Sequence, residues 1–161
     1  MTFDVVVLGA GAAGLMAAAT AGRGGARVLV LDHGSEPGRK ILISGGGRCN
    51  FTHLETGPNC FLSQNKHFAR SALARYTPRD FVQLVDLYQI AWHEKAKGQL
   101  FCDGSARQIV DMLVSECQDA GCEARMETRI TDVEADADGF VVRTDAGDVR
   151  SRSVILATGG L

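Results

Sequence analysis

Three glycines, Gly9, Gly11 and Gly14, stand at the spacing G-x-G-x-x-G, with Ala10, Ala12 and Ala13 between them. That spacing suits a pyrophosphate. The first glycine permits a tight turn, the second lets backbone approach the phosphates, and the third lets a helix pack closely on a strand. The N–H groups that open such a helix, here those of Ala12 and Ala13, carry partial positive charge toward an anion. Asp32 lies about 20 residues further on, where an acid accepts hydrogen bonds from both hydroxyls of an adenosine ribose. His33 sits beside it. An acid at this place disfavours a 2′-phosphate. The alternative is a glycine turn in a doubly wound fold that holds no nucleotide.

The next segment separates two kinds of dinucleotide site. Pro37 to Asn50 reads PGRKILISGGGRCN. A plain NAD dehydrogenase would continue with a helix and a third strand. Here a basic pair, Arg39 and Lys40, precedes Ser44-Gly45-Gly46-Gly47, a loop able to turn several N–H groups toward an anion. The other reading is a solvated charge pair on a mobile loop. Cys49 follows Arg48, which can tune a thiol. The competing role for Cys49 is a small buried residue. Cys102 reads as core. His67 and His93 show no partner in the sequence and are left outside the site. Arg70, Arg75 and Arg79 are spaced five and four apart, which favours a solvated surface over a single basic face for RNA.

The elements that must position these residues follow from hydrophobic pattern. Phe3–Leu8 and Arg27–Leu31 are short continuous apolar runs, as in buried parallel strands, and Ala12–Ala21 between them is helical. Together they make one βαβ unit. Residues 33–65 show no period and read as one long loop. Lys66–Tyr76 is expected to be helical. A helix capped by Thr77 starts at Pro78, with Phe81, Leu84, Val85 and Tyr88 on one face. Ala91–Glu94 and Gln99–Cys102 are short strand candidates. Ser105 caps a helix that buries Ile109, Met112, Leu113 and Cys117 and stops at Gly121. Glu123–Met126, Ile130–Ala135, Phe140–Thr144 and Val149–Arg152 read as an antiparallel meander, and Val154–Ala157 as a final buried strand. The fold class is α/β, with a parallel sheet, helices and a β-meander.

The chain has 161 residues, 45% hydrophobic and 22% charged, which excludes disorder and bounds it to one domain or part of one. A net charge of −2 excludes nucleic-acid binding by bulk charge. No apolar run reaches the ~18 residues of a membrane span. The five cysteines are odd in number and form no C-x-x-C pair. A disulfide framework or a metal cage is therefore not expected, and a reducing cytoplasm is. Asp4 and the lack of a basic start argue against a signal peptide. Eleven of the 19 glycines fall within the first 50 residues, which concentrates the expected chemistry there. The C-terminal strand running into Gly159-Gly160 suggests the front part of a longer protein.

At these residues the sequence resembles the BaiN/YhiN-like family of FAD-dependent oxidoreductases. The resemblance rests on Gly9–Gly14, on Asp32, on residues 38–52 (GRKILISGGGRCNFT) and on Ala157-Thr158-Gly159-Gly160. It extends through residues 71–75, 90–95 and 98–103 toward the YhiN branch. It implies a Rossmann-like FAD-binding domain of the glutathione-reductase type, with residues 1–161 as its truncated N-terminal portion. It further implies that Gly9, Gly11 and Gly14 hold the pyrophosphate, and Asp32 the ribose. Lys40 and the loop Ser44–Asn50 would line the FAD, backbone near Ile130 would meet the adenine, and Ala157, Thr158 and Gly159 would close the pocket. Family members are longer, continuing into a substrate domain and a second flavin segment. Their activities are reductions of activated C=C bonds, with NAD(P)H reducing the flavin and an acid supplying the proton. One branch resembles bile-acid enone reductases. The YhiN branch is linked to dihydrouridine in large-subunit ribosomal RNA. Cys49 is the candidate acid. The competing expectations are a small steroid-like enone as substrate, a nucleotide-binding module without catalysis, and a plain NAD dehydrogenase.

Overall fold

We describe a computed structural model of the protein over residues 2–160. The chain forms two compact units, Met1–Ile41 with Val110–Leu161, and Leu42–Ile109.

The first unit is built on a six-stranded sheet. β1 (Thr2–Leu8) is followed by helix α1 (Ala12–Arg23) and β2 (Val28–Leu31), the expected βαβ unit. β1 pairs in parallel with β2 (Val5 beside Val28) and, on its other edge, with the last strand (Val6 beside Val154). Val6, Val7, Val28 and Leu29 are wholly buried, as expected of parallel strands covered on both faces. Phe3, Val6, Leu8, Leu29 and Leu31 share one core cluster with Val142 and Val149.

α1 lies against β1 and β2 through small residues, Gly14, Ala18 and Ala19, all buried. A methyl group built on Gly14 would run into the carbonyl oxygen of Gly9. Gly9 itself has φ +110° and sits against the backbone of Ala157. The turn after β1 is thus clamped between the start of α1 and the segment after the last strand.

Within the second unit β3 (Asn50–His53), β4 (Trp92–Glu94) and β5 (Gln99–Cys102) form a small antiparallel sheet in the order β3-β5-β4. Between β3 and β4 lie α3 (Arg70–Arg75) and α4 (Pro78–Leu87). The chain passes between the units within α2 (Arg39–Ile43) and again within α5 (Arg107–Asp119).

Several expectations are corrected. Residues 33–65 are not one loop, since they include α2, a 3-10 turn at Ser44–Gly47 and β3. The partner of β3 is β5, with Asn50 beside Phe101, far along the chain and invisible to local periodicity. The helix expected over Lys66–Tyr76 shrinks to α3. Ser63 Oγ accepts from the N–H of Asn65, and Asn65 Oδ1 from that of His67, local bonds that compete with a helix. On α4 only Val85 is fully buried; Phe81, Leu84 and Tyr88 are half-buried.

β6 (Glu123–Arg125) is no part of a meander but an exposed parallel edge strand on β2. β7 (Ile130–Asp136) and β8 (Gly139–Thr144) are antiparallel as expected. The last two expected strands are one, β9 (Val149–Leu156). It runs antiparallel to β8 and parallel to β1, so it joins the meander to the parallel sheet.

The start of α4 carries a reciprocal cap. Thr77 Oγ1 accepts from the N–H of Asp80 at 3.2 Å, and Asp80 Oδ2 accepts from the N–H of Thr77 at 2.6 Å. These bonds hold the Asp80 carboxyl below the usual carboxylate range. A folded-state pKa below the unfolded one stabilises at neutral pH, and that stability is lost as pH falls through it. Thr77→Ala is therefore expected to cost about 1 kcal/mol in urea unfolding at pH 7. The difference from the parent should shrink in acid, and a pH-independent difference would remove the reciprocal cap from the account.

Candidate functional site

In the first unit the ends of β1, β2 and β9 open onto one cleft. Its volume is about 330 Å³, and Gly9, Leu31, Asp32, His33, Thr128, Arg129, Ile130 and Thr158 line it. The place follows from topology: the chain leaves β1 toward β2 on one edge, while β9 occupies the other. In open α/β sheets, ligands bind outside the carboxyl ends of the strands at such a divergence. Five residues expected at a nucleotide site, Gly9, Asp32, His33, Ile130 and Thr158, are thus brought together. Leu31, Thr128 and Arg129 were not expected. Leu31 ends the expected second strand, whereas no periodicity marks Thr128 and Arg129, which enter because the backbone N–H of Thr128 donates to the Asp32 carbonyl at 2.9 Å.

The Asp32 carboxylate is fixed from two sides. Oδ2 accepts from the N–H of Ala10 at 2.7 Å, and Oδ1 from the N–H of Gly34 at 2.7 Å. Each carboxylate oxygen keeps a further lone pair for a ligand hydroxyl. His33 Nδ1 lies 3.7 Å from Oδ1, an ion pair only when the ring is protonated. The acid that ends β2 is therefore also the brace of the turn that ends β1.

The three motif glycines differ in why they must be glycine. Gly9 and Gly14 are pressed by protein backbone. Gly11 is not. It has φ −80° and ψ −174°, which any residue can adopt, and a methyl group built on it meets no protein atom within 4 Å. Gly11 is the N-cap of α1 and supplies no side-chain cap, and the first turn carries no acidic residue. The first internal helix bond runs from Leu15 N to Gly11 O at 2.9 Å. The N–H groups of Ala12, Ala13 and Gly14 thus have no acceptor within the helix. This is a cradle with room for phosphate oxygens and donors aimed at it.

Lys40 is tied to the far end of the same unit, donating from Nζ to the carbonyl of Gly160 at 3.1 Å, beside Gly159. Gly159 has φ +87°. Arg39 runs past Gly34. Ala157 donates its N–H to Leu8 O at 2.9 Å, which continues the β1–β9 ladder past the strand end.

Within the second unit, Ser44–Gly47 is a tight turn with Gly45, Gly46 and Gly47 all at positive φ. A methyl group on Gly45 would meet Asn50 N and the Phe101 ring at 2.8 Å. Gly46 is open on all sides to 4 Å. The turn is bolted to the small sheet: Gly47 O accepts from Ala106 N at 2.7 Å, and Arg48 O from Cys102 N at 2.9 Å. Cys49 is 5% exposed and has φ +51°. Burial pushes its thiol pKa up, tempered by a hydrogen bond with the Ser44 side chain. Burial, helped by Cys49 and Asp103, pushes Cys102 up to about 11. Both are thiols at neutral pH, so neither is a ready nucleophile.

His93, left without a partner by the sequence, has one. Its Nδ1 lies 2.6 Å from Asp103 Oδ1, and its ring stacks on Phe101 with centroids 6.3 Å apart. The pairing depends on the hairpin register that sets β4 beside β5, with His93 opposite Phe101, which the two strand candidates alone do not fix.

The model of the HI0933-like protein Rossmann domain matches residues 3–161. The ribosomal RNA dihydrouridine synthase of Escherichia coli is 53% identical over 159 residues, which cover 99% of this chain and 40% of that protein. The 3-dehydro-bile acid delta(4,6)-reductase of Clostridium scindens is 29% identical, over 96% of this chain and 38% of that protein. The chain thus spans about two fifths of the length of these curated relatives. Among solved structures, the 3-ketosteroid-delta4-(5alpha)-dehydrogenase of Rhodococcus jostii superposes with a TM-score of 0.71 at 21% identity. The match covers 99% of this chain and 46% of that one, a likeness of fold.

Proposed function

The chain belongs to the HI0933-like Rossmann-domain family, and from that premise we propose that residues 1–161 are the FAD-holding, N-terminal portion of an oxidoreductase that reduces an activated C=C bond. The observation that carries this reading is Gly11. Its backbone conformation and its surroundings leave room for a side chain, so its value as glycine lies in contact with something outside the protein. A pyrophosphate over Gly11, Ala12 and Ala13, with a ribose on Asp32, suits that space and those donors. Adenine would lie against Ile130 and Thr128. Ser44–Asn50, with its run of positive-φ glycines, keeps the flavin-lining role that the family resemblance implies, as a glycine turn able to present backbone N–H groups to an anion.

When bound, FAD supplies hydride chemistry that side chains lack. The substrate we propose is uridine in ribosomal RNA, supported by the name of the 53% identical relative, and in the large subunit as the family resemblance implies. Hydride would reach C6 of the uracil and a proton C5, with NAD(P)H as the source of electrons. The chain's own part is to orient, to exclude water and to hold a proton. Cys49, kept protonated by burial, is the assigned proton donor. A second reading, a small enone as substrate, draws on the 29% identity to the bile-acid reductase.

The first experiment is to purify the chain, record its visible spectrum and identify the released nucleotide. FAD is the expected product; NAD or no nucleotide overturns the assignment. With longer protein, anaerobic addition of RNA or of a steroid enone to the reduced form separates the substrates by which one reoxidises it. Cys49→Ser is expected to keep flavin retention within about twofold while lowering turnover ~10²-fold, the usual size of an acid–base contribution. Unchanged turnover would return Cys49 to packing alone. If His93→Asn then removed turnover, proton delivery would move to the His93–Asp103 pair.

A further inference from the structure

From Thr56 to Arg79 the chain carries no carboxylate, yet Lys66, Arg70, Arg75 and Arg79 all fall there, in a protein of net charge −2. All four are exposed, and none forms an ion pair with a described residue. Several surface arginines elsewhere are paired with acids. Arg143 meets Glu134 and Asp148, Arg150 meets Asp136, Arg152 meets Asp4, and Arg23 meets Glu116. The contrast is one of composition, since the segment offers its cations no acid.

The same segment leaves aromatic rings in water. Phe68 is 53% exposed, Phe61 41% and Tyr76 40%. Phe61 and Phe68 meet edge to face at 5.9 Å, which holds both rings at the surface. Arg79 stands in the first turn of α4, two residues past its N-cap Thr77. A cation there opposes the helix dipole, which the Asp80 carboxylate of the same turn complements. Cations and exposed rings thus coincide within one stretch of the second unit.

We propose that residues 61–79 are a docking surface for a single-stranded segment of RNA. The four cations take phosphates, and Phe68, with Phe61 and Tyr76, stacks on unpaired bases. Rings on a protein surface stack on bases only where those are free of a duplex, and single-strand binding joins such platforms to a basic track. The inference rests on the proposed uridine substrate, whose base must likewise leave its stack to be reduced.

The test is a fluorescence-anisotropy titration of the 161-residue chain with a labelled single-stranded RNA of about 12 nucleotides. Three proteins are compared with the parent: the triple variant Arg70→Gln/Arg75→Gln/Arg79→Gln, Phe68→Ala, and a control, Arg143→Gln/Arg150→Gln/Arg152→Gln, of equal charge loss. The triple variant is expected to bind ~30-fold more weakly at low salt. The slope of log affinity against log salt should fall by about 0.7 for each phosphate contact removed. Phe68→Ala is expected to lose ~10-fold, and the control less than about threefold. An equal loss in the control overturns the surface, as does absence of RNA binding. So does equally tight binding to duplex RNA or to phosphatidylserine–phosphatidylcholine vesicles. Dihydrouridine formation by longer protein is scored separately. If the triple variant loses RNA affinity but the parent forms no dihydrouridine, the surface stands and the reaction falls. If the parent forms it and the triple variant keeps the same KM for RNA, the reaction stands and the surface falls.

Discussion

Gly11→Ala is expected to fold almost as the parent does and to lose its flavin, whereas Gly14→Ala is expected to lose much of its stability. The two glycines are three residues apart in one motif, yet the structure separates their roles. A methyl group on Gly14 collides with the carbonyl of Gly9, a backbone atom that cannot swing away. Overpacking against backbone costs at least ~3 kcal/mol, a fall in Tm of roughly 10 °C for a chain of this size. At Gly11 the added methyl group enters open space in an ordinary extended conformation. The folding cost is that of a poorer N-cap, about 1 kcal/mol or less. The same methyl group would stand between the α1 N–H groups and a pyrophosphate, so flavin affinity should fall ~100-fold or more. Thermal melts of the apo chain and fluorescence titration with FAD read the two effects independently. Equal destabilisation by both substitutions would show that Gly11 serves the fold and not the cofactor.

Asp32→Ala is expected to damage both properties. Ala10 is 1% exposed, and its N–H donates to Asp32 Oδ2. Without the carboxylate that donor is stranded, at a cost of about 1–3 kcal/mol. The Gly34 turn loses its anchor as well. Two charge-assisted bonds to a ribose would be lost with the acid, an expected ~10²–10³-fold drop in FAD affinity. Asp32→Asn separates the parts. It keeps the shape and one acceptor, so most of the melting temperature should return while affinity stays low. Full affinity in Asp32→Asn would move the ribose contact elsewhere in the cleft.

Both predictions start from residues that the sequence already singled out, and both needed the structure to say what each residue does. The glycine spacing, the acid after the second strand and the apolar runs around them were readable because their geometry is local. A turn, a helix start and a buried strand each follow from a few adjacent residues. Helix α5 was readable for the same reason, with Ile109, Met112, Leu113 and Cys117 at helical spacing and all buried. β3, the pairing of β6 and the continuity of β9 were not. Each owes its existence to a partner far along the chain: β3 to β5, β6 to β2, and β9 to both β1 and β8. Glu123–Arg125 was readable as a strand, but it is exposed throughout, so no hydrophobic pattern could say that it pairs in parallel with β2.

The same division runs through the site. By itself the sequence determined that a glycine turn enters a helix after a buried strand, that an acid closes the next strand, and that glycines and a cysteine follow. It also determined a chain stretch with cations and no acids. Tertiary structure alone decided that Asp32 braces the turn at Ala10, and that Thr128 and Arg129 share its cleft. It decided that Gly11 faces open space while Gly14 faces backbone, and that His93 pairs with Asp103. Burial decided that Cys49 remains a thiol. The physical reason is that side-chain chemistry and local backbone preference are written residue by residue. Which groups meet, and what solvent they see, depends on strand pairings whose partners no local pattern names.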